Sequence, residues 1–85
     1  MAEATIEELA GFISGNVKRK QIVDVLDKNG AETEEALGKL TRAPKLLLEK
    51  ALRDMSEKGV IKKLKGKYEL TENGRAAATI LHAIR

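Results

Sequence analysis

The chain has no cysteine, no tryptophan, one proline, one histidine and two aromatic side chains, Phe12 and Tyr68, in 85 residues. Without cysteine there is neither a disulfide framework nor a thiolate metal site, a composition suited to a reducing, cytoplasmic interior. A single histidine, His82, among scattered acids supplies no ligand set for a metal, and no nucleophile and base can be paired. The seven glycines form no phosphate-cradling loop. The expectation is a protein that is not an enzyme and carries no catalytic residue, metal or cofactor. No apolar run approaches the roughly 20 residues that cross a bilayer. The segment MAEATIEELAGFISG has acids where a signal peptide has bases, so neither membrane insertion nor export is expected. With so few aromatics the 42% hydrophobic content is almost entirely aliphatic. A chain this short builds one modest core, hence a single domain over residues 1–85.

Charge is distributed unevenly. Residues 1–41 hold 5 Lys/Arg against 8 Asp/Glu, a net of −3, and residues 42–85 hold 11 against 5, a net of +6. A basic half points to a polyanion on one face, because Lys and Arg there release condensed counterions. A solvated basic surface without a partner is the alternative.

The pattern of caps and apolar spacing divides the chain into short elements. Thr5 and Glu8 have capping-box spacing, and Ile6, Leu9, Ala10 and Ile13 follow at i, i+3, i+4 and i+7, predicting a helix over 5–14. Asn16 is an N-cap for a helix over 17–29, with Val17, Ile22, Val25 and Leu26 as its core stripe. Lys18, Arg19 and Lys20 fall in its first turn, where the helix dipole disfavours cations, so they either meet a phosphate or form a solvated basic turn. Thr33 caps a helix over 34–40 with Ala36, Leu37 and Leu40 inward. After the turn Thr41-Arg42-Ala43, Pro44 suits the first position of a helix over 44–58. There Leu48, Ala51, Leu52 and Met55 form the buried stripe, and Lys45, Leu46, Glu49 and Arg53 face out. Residues 60–70 form a hairpin about Lys65-Gly66, with Ile61, Leu64, Tyr68 and Leu70 inward. Its lysines 62, 63, 65 and 67 serve either phosphate contact or edge protection. A last helix covers 72–84. Its Ile80, Leu81 and Ile84, with Ile6, Leu9 and Ile13 of the first helix, make either a homodimer interface or a seam packed within one chain.

Short helix, tight turn, longer helix and hairpin in that order make a winged helix-turn-helix, mainly α with a small β-hairpin. The run from Phe12 to Ala78 resembles small winged-helix transcriptional regulators common in archaea, related to the multiple-antibiotic-resistance and arsenic-responsive repressor superfamily. The most specific pieces are Leu52-x-x-Met55-x-x-Lys58-Gly59-Val60-Ile61 and Tyr68-x-Leu70-Thr71-x-x-Gly74, and the similarity covers nearly four-fifths of the chain. The resemblance implies a dimer on double-stranded DNA, with the 44–58 helix in the major groove and the lysine-rich wing on flanking phosphates. The residues placed on DNA are Arg42, Lys45, Leu46, Glu49, Arg53, Lys62, Lys63, Lys65 and Lys67, with Lys18 and Arg19 as further phosphate contacts. Leu46 would touch a thymine methyl and Glu49 accept from cytosine N4. The helix opens Lys45-Leu46-Leu47-Leu48, however, where the family has small polar residues. That leucine edge also suits the alternative function, a module that binds a protein, or RNA, rather than duplex DNA.

Overall fold

A computed structural model of the protein describes residues 5–83. Five helices and three short strands follow one another as α1 Ile6–Ser14, α2 Val17–Asn29, β1 Ala31–Glu32, α3 Glu34–Thr41, α4 Lys45–Glu57, β2 Ile61–Leu64, β3 Lys67–Leu70 and α5 Glu72–Ala83. The architecture is mainly helical with a small antiparallel sheet in the order β1-β3-β2. No helix among the described residues is long and apolar enough to cross a membrane.

Side-chain caps set the starts of the first three helices. Thr5 accepts from the backbone N–H of Glu8, whose carboxylate accepts in return from the N–H of Thr5. Asn16 accepts from the N–H groups of Lys18 and Arg19, and Thr33 from that of Ala36. Each satisfies donors that the first helical turn leaves without an intrahelical partner. The start of α4 differs. Pro44 sits outside the helix in an extended conformation (φ −57°, ψ 146°) and has no side chain that can cap. Its carbonyl accepts the first helical bond, from Leu48 N–H.

One aliphatic core holds these elements together. Leu9 and Ile13 of α1, Ile22, Val23 and Leu26 of α2, Leu37 of α3 and Leu48, Leu52 and Met55 of α4 are all buried, with Val60, Ile61, Leu70, Ala77 and Ala78 closing it. α1 packs chiefly on α5. Leu9 and Ile13, 1% and 0% exposed, belong to that packing, which corrects the expectation that they face a second copy. Ile6, Ile80 and Leu81 pack against the core but stay partly open, and Ile84 lies outside the described residues.

Three further side chains depart from the sequence reading. Val17 and Leu40 are exposed rather than inward, because the buried stripes of α2 and α3 are narrower than the apolar content suggests. Leu64 is exposed because the register pairs Ile61 with Leu70 and Lys63 with Tyr68. Strand side chains alternate, so Leu64 shares the opposite face with Lys62. Strand β1 has no counterpart among the expected elements. It pairs Ala31 with Glu69 and Glu32 with Tyr68, following Gly30, whose φ of 93° turns the chain out of α2.

The junction between hairpin and α5 is closely built. The Thr71 hydroxyl lies within hydrogen-bonding distance of the carbonyls of Gly59 and Val60 and accepts from the N–H of Gly74. Gly74 is buried against the same loop, and a Cβ there would stand 2.0 Å from the carbonyl oxygen of Val60. Only glycine permits that approach.

Candidate nucleic-acid interface

The outward face of α4 is the mirror of its buried one. Leu48, Ala51, Leu52 and Met55 face the core, so at 100° per residue the opposite line runs through Leu46, Lys50 and Arg53, at i, i+4 and i+7. All three are exposed, Leu46 at 79%. Lys50 lies between the other two and is absent from the residues expected on this face, although its spacing of four from Leu46 is visible in the sequence. Its ammonium is 3.3 Å from Asp54, an exposed i, i+4 pair that holds it only weakly.

The other residues expected on this face separate. Lys45 turns toward α3, over a groove of about 360 Å³ that it lines with Glu34, Glu35, Gly38, Ala43 and Leu48. Glu49 is half-buried on the same flank. Arg42 is exposed in the turn between α3 and α4 and takes a left-handed conformation (φ 56°), where a β-carbon is disfavoured.

Lys18 and Arg19 are engaged inside the chain. The ammonium of Lys18 donates to the carbonyl of Thr41 at 2.7 Å and to Gln21 Oε1 at 3.1 Å. It therefore stands at the C-terminal end of α3, where the helix dipole favours a cation. Arg19 donates to the carbonyl of Phe12 at 2.9 Å, places its guanidinium 3.9 Å from the centre of the Phe12 ring and comes within 3.9 Å of Asp54. Those contacts join α1, α2 and α4. The dipole cost of these bases is offset by bonds that periodicity along one helix cannot display.

The hairpin lysines are not equivalent. Lys62 sits opposite Glu69 and reaches it at 3.5 Å. Lys63 lies over the Tyr68 ring, 5.5 Å from its centre. Lys65 and Gly66 form the tip with φ of 54° and 80°, which fits a tight turn with two left-handed residues. Among the described residues, Arg42, Lys45, Arg53, Lys65 and Lys67 have no acid within ion-pair distance.

No protein-family model, curated protein or solved structure matches this chain. The reading of the surface therefore rests on its chemistry. Among the described residues no group of three His, Asp or Glu is placed to hold a metal ion. His82 lies 3.2 Å from Asp24 and 3.6 Å from Asp27, fastening the end of α5 to α2.

Proposed function

We propose that this chain is a winged helix-turn-helix protein that binds double-stranded DNA, acting as a dimeric transcriptional regulator. In this reading α3 and α4 are the helix-turn-helix, α4 enters the major groove and the β2–β3 hairpin is the wing on flanking phosphates. One observation carries it: the outward line of α4 holds Lys50 and Arg53 while the hairpin that follows directly adds Lys62, Lys63, Lys65 and Lys67. Two basic features joined through Gly59 present charge that no acid among the described residues neutralises at Arg53, Lys65 and Lys67. The start of α4 supports the same reading. It has no side-chain cap and no acid in its first turn, so its free N–H groups and positive dipole end favour an anion.

Within this proposal Arg42, Lys50, Arg53, Lys65 and Lys67 contact the duplex backbone or bases, and Leu46 meets a thymine methyl. Lys45 and Glu49 flank the line, and Lys18 and Arg19 hold the helices in place. A second copy would pack on the α1–α5 seam through Ile6, Ile80 and Leu81, which are the apolar side chains left partly open there.

Fluorescence anisotropy with a random labelled duplex across a salt series tests the reading, with light scattering on the same sample for the dimer. Affinity should fall steeply with salt. Replacing Lys63, Lys65 and Lys67 together by Ala should weaken binding and lower the salt slope by about 0.9 for each phosphate that is no longer neutralised. Absence of binding at low salt would overturn the DNA assignment.

A further inference from the structure

Among the described residues, four of the five large apolar side chains that stand open to solvent lie in the first turns of α2 and α4 and the last turn of α3. They are Val17 (70% exposed), Leu40 (54%), Leu46 (79%) and Leu47 (55%). Leu47 lines a hollow of about 140 Å³ with Asn16, Lys18, Arg19, Lys50, Ala51 and Asp54, and Val17 lies between the first two of these in sequence. The bond from Lys18 to the carbonyl of Thr41 brings the end of α3, and so Leu40, to the same first turn of α2. Single exposed leucines are ordinary, but a gathering of them where three helices meet marks a surface that something covers.

The surroundings restrict what that is. Lys20, Arg42 and Lys45 are exposed around this end with no acid within ion-pair distance among the described residues, and Lys50 is held only weakly by Asp54. Of the acids, Asp54 is also approached by Arg19, Glu35 meets Lys39, and half-buried Glu34 lines the groove beside Lys45. A duplex would satisfy the bases and leave Val17, Leu40 and Leu47 wet. A second copy is a poor occupant, because α1, which carries Glu7 and Glu8 and no base, has its apolar stripe of Leu9, Ala10 and Ile13 buried in its own core.

We propose that this end docks an amphipathic helix of another protein, one with a leucine-type stripe flanked by Asp and Glu. The stripe would cover Val17, Leu40 and Leu47, and the acids would meet Lys20, Arg42 and Lys50. Leu46 stands at the border with the outward line of α4. The three residues at the centre are not among those assigned to DNA, whereas Arg42 and Lys50 are claimed by both assignments, so peptide and duplex would compete at the rim and each is tested alone.

The test is a titration of the isotope-labelled full chain, followed by amide chemical shifts, with a stapled helical peptide bearing leucines at i, i+3 and i+7 and glutamates on both flanks. A scrambled peptide of the same composition is the control, and Leu47→Ser the variant, its fold checked by its own spectrum. Saturable shifts at Val17, Leu40 and Leu47, absent with the scrambled peptide and weakened ~10-fold or more in Leu47→Ser, would support the docking surface. Equal binding of both peptides would show charge attraction alone and overturn it, as would no shifts at all. Concentration-dependent shifts of these residues without peptide would overturn it in favour of a second copy. A parallel titration with duplex in the absence of peptide separates the readings: peptide binding without duplex binding removes only the DNA assignment, and the reverse removes only this one.

Discussion

Gly74→Ala tests the junction between hairpin and α5. On helix propensity alone the change should stabilise, since Ala is favoured over Gly inside a helix by about 1 kcal/mol. The structure predicts the opposite sign. The new Cβ would stand 2.0 Å from the carbonyl oxygen of Val60 and 3.0 Å from its carbonyl carbon, and both are backbone atoms that no rotamer change can move. Relief requires a shift of about 1 Å between α5 and the Gly59–Val60 loop. That shift strains the Thr71 N–H bond to Val60, 3.0 Å long, and the hydroxyl contacts of Thr71. Overpacking of this kind costs roughly 1–3 kcal/mol, and a weakened hydrogen bond about 1 kcal/mol. After the propensity gain the net loss is about 1–3 kcal/mol, which in a domain of this size lowers Tm by roughly 4–24 °C. Gly11→Ala is the matched control. It lies in α1, exposed, with nothing within 4 Å of the added carbon, and should stabilise by roughly 0.5–1 kcal/mol. Urea unfolding of both variants reads the difference. If Gly74→Ala is neutral or stabilising, the close approach of α5 to the loop is wrong.

Arg19→Ala removes the bond to the Phe12 carbonyl, the contact with its ring and the approach to Asp54, and should cost about 1–3 kcal/mol in chemical unfolding. Lys18→Met should cost about 1 kcal/mol, because the carbonyl of Thr41 at the end of α3 loses its cationic donor; no change in the urea midpoint would show that the bond contributes nothing. Leu46→Ser and Lys50→Ala should each leave stability within about 0.5 kcal/mol, while Lys50→Ala weakens duplex binding by anisotropy. Met55→Ala, at the centre of the core, should lose about 2–5 kcal/mol.

The sequence displays what local chemistry decides. Thr5, Asn16 and Thr33 announce helix starts because an N-cap needs only a short polar side chain before an apolar stripe. Lys65-Gly66 announces its turn because left-handed φ favours glycine. What the sequence does not display depends on distant partners. The roles of Lys18 and Arg19 are fixed by Thr41, Phe12 and Asp54, all on other elements, so along α2 they look like bases at the unfavourable end of a dipole. Strand β1 is invisible to periodicity because two residues carry no alternation, and Ala31 and Glu32 become a strand only when β3 is beside them. Leu64 reads as inward from its hydrophobicity, against the alternation of its own strand. On α4 the periodicity locates Leu46 and Arg53 on the open face, but reading outward residues as a set rather than a line passes over Lys50.

The two-residue strand has a topological consequence. β1 immediately precedes α3 and β2 closely follows α4, and both are paired to β3, with Ala31 opposite Glu69 and Ile61 opposite Leu70. The α3–α4 pair is therefore an excursion that leaves from and returns to one four-residue strand. Its two feet share a single footing. A change in the register of β3 would displace both ends of the excursion together, and with them the tip of the hairpin. The outward face of α4 and the tip of the hairpin are thus tied to the same strand, β3.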